Sequence, residues 1–399
     1  MKPYSFQFIL LFLLCSLYNQ VIAQVLDPEL KQRFKTRSIE IENEGLAEPF
    51  TGITVDGNVS EGLFKLKPTG VSTEPMRKAA MSFLESLDDH QHERAKFLIH
   101  DDEWRKWMNQ DFYVRQGVNF VEMTEKQRAA AFHLMSASLS VKGLKLSKDI
   151  MKLNYTLAEI RDDFQRYGEW LYWITMMGEP SETEPWGWQM DGHHLIINYF
   201  VLGDQVVMTP LFIGSEPVIA ETGKYKGIAI LQDEQNSGLK MLRSMNDKQR
   251  SEAIIEISKD GNNNLTEAFK DNVVLDYTGV RASSFTRGQK NQLLSLIQLY
   301  VDNMDDGHAK VKMEEVEKYM DDTWFAWIGG DEDNAVYYYR IHSPVILIEF
   351  DHQKPVGTRQ LYGNDVHRQH IHAVVRTPNG NDYGKDLLKQ HYKEHPHNK

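Results

Sequence analysis

Cysteine is nearly missing from this chain: Cys15 is the only one among 399 residues. It falls inside an N-terminal leader pattern, so an exported chain would carry none. That excludes disulfides, thiolate nucleophiles and every cysteine-ligated metal site, and it leaves stability to an ordinary core. Long hydrophobic runs are missing too. Beyond the leader, nothing approaches the roughly 18 consecutive apolar residues of a membrane-spanning helix. Positive charge is in deficit, with 45 Lys and Arg against 57 Asp and Glu, a formal charge of −12 and no basic cluster. Nucleic acid and anionic lipid are therefore poor partners. A glycine-rich phosphate loop with a βαβ rhythm, a Gly-x-Ser-x-Gly elbow and a His-Glu-x-x-His helix are also absent. Nucleotide binding, serine hydrolysis and the familiar zinc peptidases lose their support.

The leader itself has the features of an export signal. Lys2 gives a basic start, Phe8 to Leu17 is almost wholly apolar, and Val21-Ile22-Ala23 fits the small-residue cleavage rule. The apolar run is too short to span a bilayer. The expectation is a signal peptide over residues 1–23, cut after Ala23, and a secreted or periplasmic protein with no integral membrane segment.

Residues 24–399 read as a single α+β domain of antiparallel β-meanders packed against helices. A helix-rich N-terminal lobe covers about 73–165, and a β-rich, histidine-bearing part covers about 186–399. Residues 24–72 show little periodicity and read as an extended lead-in. Helices are expected over Met76–Leu87, from the capping box Thr124-x-x-Gln127 to Gly143, and over Leu146 to about Phe164. The same capping pattern recurs at Asn246-x-x-Gln249 and Thr286-x-x-Gln289. Either a helical repeat or a shared capping chemistry accounts for it. Asp191-Gly192 between two strand-like runs predicts a hairpin turn, with strands at Trp186–Met190, His193–Leu202 and Gln205–Ile213. Further strands are expected at Trp324–Ile328, Ala335–His342, Val345–His352 and His370–Arg376, and a closing helix at Lys385–Glu394.

Two histidine pairs carry the candidate chemistry. Residues i and i+2 of a strand share a face, so His370 and His372 would aim two nitrogens at one point. Imidazole is the commonest protein ligand for zinc, iron and copper. The alternative is an edge strand with two solvated histidines. His193 and His194 follow the predicted turn, and adjacent strand residues face opposite ways, so one of the two is expected to join the C-terminal pair. His391, His395 and His397 lie in a polar tail and read as solvated. Glu349 interrupts a strand that is apolar on both faces, where an ionised carboxylate needs a partner. That partner is either a metal shared with the histidines or Arg340 or Arg376. Trp186 and Trp188 share a strand face, and either stack on a substrate or pack the core.

Five stretches together resemble the bacterial domain-of-unknown-function family 3500. They are Gly168–Trp173, Glu184–Leu195, Leu202–Pro210, Tyr338–Ile341 and His370–Gly384. The resemblance covers most of the chain and implies one full-length domain, but it brings no activity or cofactor. His352 fits the family pattern less well than His370 or His372.

The functional expectation is an exported metal-dependent hydrolase acting on a small or oligomeric polar substrate. A divalent ion, zinc first and iron or copper as alternatives, would be held by His370, His372 and either His193 or His194. Glu349 would serve as fourth ligand or general base, Arg376 would hold an anionic group, and Asp191 or Asp382 would orient a ligand. With iron or copper the same set would suit an oxidoreductase. The other class is a non-catalytic secreted binding protein that holds a glycan or peptide on Trp186 and Trp188.

Overall fold

The computed structural model describes residues 27–395. The expected leader and His397 lie outside the described residues. The fold is α+β, with helices packed on a large mixed sheet. Among the described residues no helix is long and apolar enough to cross a membrane.

Eight principal strands form the sheet: β1 Tyr172–Met177, β2 Trp186–Gly192, β3 Leu195–Leu202 and β4 Leu211–Ser215, then β5 Trp324–Gly329, β6 Tyr337–His342, β7 Leu347–Gln353 and β8 His367–Arg376. Their spatial order is β1-β2-β3-β4-β8-β7-β6-β5, with every neighbouring pair antiparallel. Two four-stranded meanders thus meet edge to edge along β4 and β8, and each protects an edge the other would expose. One sheet face, with Trp188, Tyr199, Tyr339 and Phe350, packs against the helices in the main core. The opposite face carries Gln189, Asn198, His372, Glu349 and Arg376 on the other strand parity. Long loops bearing Trp104 and Trp107 cover part of it.

The recurring capping pattern belongs to a repeat that includes the strands. The first half runs through α2 Glu74–Ser86, α3 Asp89–Ala95, α4 Glu125–Ser138 and α5 Val141–Arg161 before β1. The second runs through α6 Gln232–Arg243, α7 Asp247–Ala253, α8 Arg287–Val301 and α9 Asp306–Lys318 before β5. In each half a short strand after the small capped helix pairs parallel to the first meander strand, and a two-residue strand pairs antiparallel to it. The capping glutamines match in detail. Gln127 donates to Ser86 O at 3.0 Å and Gln91 Oε1 at 2.6 Å. Gln289 donates to Ser244 O and Gln249 Oε1, each at 2.8 Å. Each glutamine closes its own helix N-terminus and the end of a neighbouring helix at once.

Three local expectations need correction. Residues 24–72 include a helix, α1 Pro28–Gly45, capped by Asp27 with proline in its first turn, a start signal that outweighs its weak apolar periodicity. The helix from Thr124 ends at Ser138, because Ser140 caps α5 by accepting from Gly143 N at 3.0 Å. Gly143 is not a terminator; a Cβ there would lie 2.1 Å from Asn303 O. The hairpin turn falls two residues late. Asp191 and Gly192 stay in β2, paired with Ile196 and Leu195, and the turn is His193-His194 with His194 at φ 64°. Asp191 is held by Arg115 at 3.0 Å, and Gly192 is flattened beneath the Tyr172 ring.

Buried neutral histidines set the acid limit of this fold. His342 is buried and packs against the Tyr277 ring at 4.6 Å. Burial lowers its pKa to about 3, with Arg340 adding to the effect. Burial also holds His352 well below 6.5. Between about pH 6.5 and 3 the unfolded chain binds more protons than the folded one, so stability is lost as pH falls through that window. We expect denaturant midpoints to fall steadily below pH 6.5. His342→Phe should flatten that slope, removing a loss on the order of 4 kcal/mol. An unchanged slope in the variant would show that His342 is not the titrating group.

Candidate metal centre

His370 and His372 stand on one face of β8, as their spacing predicts, and β4 and β7 flank them. His372 lies opposite Gly214 on one side and Asp351 on the other. A Cβ on Gly214 would approach the His372 ring to 3.4 Å and Ile371 O to 2.5 Å, so glycine makes room for the imidazole. His194 comes from the β2–β3 turn, where Asn109 O accepts its backbone N–H at 3.1 Å and Gly214 N donates to its carbonyl at 2.9 Å.

The three Nε2 atoms form a tight triangle: His194 to His372 3.1 Å, His194 to His370 3.3 Å and His370 to His372 3.0 Å. All three rings are buried. The tautomers follow from the outer nitrogens. His370 Nδ1 lies 2.8 Å from Lys354 O, which can only accept. His372 Nδ1 lies 2.7 Å from Glu267 Oε1, and Glu267 is held below the usual carboxylate range because His372 and nearby donors outweigh burial. Both rings therefore carry their proton on Nδ1 and turn an Nε2 lone pair inward. Burial, reinforced by the other imidazoles, depresses His194 well below 6.5, so that ring is neutral. Inward lone pairs about 3 Å apart repel one another unless a cation lies between them. A point at the zinc–imidazole bond length of about 2.0–2.1 Å from all three exists above their plane.

Carboxylates position this triangle from behind. Glu216 accepts from Val356 N, Gly357 N, Thr358 N and Thr358 Oγ1 at 2.7 to 3.0 Å, which fixes the loop whose Lys354 carbonyl holds His370. Glu267 is carried on the loop after Lys259. Asp351 accepts from Asn263 N at 2.7 Å and pairs with Lys259 at 2.9 Å. Glu349 accepts from Leu265 N, Thr266 N, Thr266 Oγ1 and Tyr338 OH at 2.5 to 3.0 Å. Arg376 donates to Thr266 O at 3.0 Å and Glu267 O at 3.1 Å, and pairs with Asp271 and Asp382. Asn264 Nδ2 and Asn109 Nδ2 complete the contacts to Glu267 at 2.9 and 3.3 Å.

Of the residues singled out from the sequence, the structure gathers His194, His370 and His372. His193 stacks on His194 at 3.9 Å, but its Nδ1 goes to Asn154 Oδ1 at 2.8 Å. Glu349 is fully buried with backbone and hydroxyl donors around it, in place of the expected metal or arginine. Arg376 points into the loop. Asp191 is buried against Arg115, and burial pushes its carboxyl up to about 6. Asp382 is bound to Arg376 and to Thr377 N. Trp186 and Trp188 are fully buried, their indole N–H groups donating to Ser181 O and Ser138 Oγ. Glu267, Glu216, Asn109 and Asp111 were not anticipated. The run Asn262-Asn263-Asn264 ahead of Leu265-Thr266-Glu267 was the available signal for a built turn.

The triangle lies in a cavity of about 220 Å³, whose wall includes Gln110, Asp111, Tyr167, Asn262 and Gln353. Amides and carboxylates dominate, and neither lysine nor arginine lines it.

The chain belongs to the family described as "Protein of unknown function (DUF3500)", which it matches over residues 69–385. No curated protein and no solved structure matches it.

If Glu349 anchors the loop that presents Glu267, Glu349→Gln should loosen that loop without unfolding the sheet. An amide has one acceptor oxygen and turns an NH2 toward a donor, so a cost of about 2–4 kcal/mol is expected. Hydrogen exchange should accelerate at Leu265 and Thr266 and stay slow in β7 and β8. Unchanged protection at both amides would refute the anchoring role.

Proposed function

We propose that this protein is an exported metal-dependent hydrolase in which His194, His370 and His372 hold one divalent ion. The observation that carries this reading is the Nε2 triangle, with two of its tautomers fixed by Glu267 and the Lys354 carbonyl. A carboxylate behind a ligand histidine orients the ring and raises its basicity. Three protein ligands with an open position are the pattern of catalytic zinc sites, and an ion so held would polarise a bound water or substrate oxygen.

The chain's own groups supply the rest. Glu267 keeps the His372 proton on Nδ1, and Lys354 O does the same for His370. Asp111 lines the cavity with its carboxyl pushed up by burial against the opposing pull of Arg166. It is the group placed to give or take a proton there. Gln110, Asn262 and Gln353 offer amide contacts to an uncharged polar substrate.

Zinc is the first choice, because the converging set is three imidazoles without a carboxylate. Imidazole also suits iron and copper, and either would make the same centre an oxidoreductase. The glycan- or peptide-binding reading loses its aromatic platform, since Trp186 and Trp188 have no exposed face.

Protein purified without a histidine tag should contain about one ion per chain and melt at a lower temperature in chelator. An ion at a hundredfold its Kd stabilises the fold by about 2.7 kcal/mol. His370→Ala should abolish both the ion and the chelator response, with His372→Ala adding little, because two ligands of one ion are strongly non-additive. Zinc-loaded wild type should hydrolyse 4-nitrophenyl acetate and His370→Ala should not. Negligible metal, with identical melting in chelator and in added zinc, iron or copper, would overturn the proposal.

A further inference from the structure

A second cavity lies at the other end of the β4–β8 pair, beside Leu211 and Val375. Ile346, Val207 and Thr209 line this cavity of about 350 Å³. The C-terminal end of α9 borders it as the end of α5 borders the metal cavity.

Ile346 and Val207 help make it an apolar chamber. Phe64, Met208, Met304 and Val375 extend its wall. The charges around it are four lysines, Lys65, Lys67, Lys312 and Lys318, against Glu314 and Glu315. Lys312 is engaged with Glu315 at 2.7 Å and Val345 O at 2.8 Å. His308 is tied to Asp305 at 2.7 Å and Asp204 O at 3.1 Å. Lys65, Lys67 and Lys318 make no ion pair among the described residues, and Lys318 rests 5.0 Å above the Tyr319 ring. A locally positive rim on a chain of formal charge −12 selects against cations and for one anionic end.

We propose that this second cavity binds a small amphiphilic carboxylate, its apolar body inside and its anionic end among Lys65, Lys67 and Lys318. The inference does not depend on a metal being present. Decanoate below its micelle concentration is the probe, followed by calorimetric titration of the full chain. Saturable binding of decanoate is expected, with decanol weaker and decyltrimethylammonium without measurable binding. Lys65→Glu with Lys318→Glu, both exposed and away from the core, should weaken decanoate by about tenfold and leave decanol unchanged. Thr209→Trp should block both, and an unchanged circular dichroism spectrum with a cooperative melt would show that the variant is folded. Absence of saturable binding, equal binding of the cation, or decanoate affinity untouched by the charge reversals would overturn the proposal.

Discussion

The structure turns on the compensation of carboxylates buried on one sheet face. An ionised group at the position of Glu349 costs several kcal/mol unless its oxygens are fully engaged. The chain meets that demand with backbone: Leu265 and Thr266 bring their N–H groups, Thr266 its hydroxyl and Tyr338 its phenol. Asp351 draws in Asn263 by the same means, and Arg376 gathers the carbonyls of Thr266 and Glu267. An otherwise irregular segment becomes a fixed shelf, and that shelf presents Glu267 to His372. Glu216 repeats the device on the other side, binding the 356–358 backbone so that Lys354 O meets His370. Electrostatic necessity in the sheet is thereby converted into fixed tautomers at the triangle.

The two halves explain why the triangle forms where it does. The three imidazoles come from the turn of the first meander and the last strand of the second, so neither half forms the triangle alone. β4 and β8 must pair in register for His194 to meet His370 and His372. A one-residue slip would turn both β8 imidazoles to the other face. At the other end of the β4–β8 pair, Ile346, Val207 and Thr209 line a second chamber.

Much of this was legible in the sequence, and the rest was hidden for physical reasons. The i, i+2 spacing of His370 and His372 fixed their common face, and the closing helix Lys385–Glu394 was readable from its pattern. The turn at His193-His194 was not. Asp-Gly is a strong local signal, but Arg115, far away in sequence, occupies the Asp191 carboxylate, and Tyr172 packs on Gly192. Placing the turn two residues late removed the expected conflict between adjacent histidines, because residues in a turn need not alternate. Glu349 was correctly read as a buried charge needing partners, yet its partners are backbone groups, which carry no side-chain signature. Glu267 lay in a segment without periodicity, and only the fold reveals that it faces His372. Trp186 and Trp188 shared a face as expected, and that face is the core. The recurring capping boxes were visible, but their extension to a full α+β repeat needed the strand registers.

The claim on which the account rests is that three imidazole nitrogens converge on one ion. X-ray absorption at the zinc edge of the loaded, untagged protein tests it most directly. The account predicts three histidine nitrogens at about 2.0–2.1 Å with imidazole outer-shell scattering, completed by a light oxygen ligand. A shell of oxygens alone, or a spectrum unchanged when His194, His370 and His372 are all replaced by alanine, would contradict it.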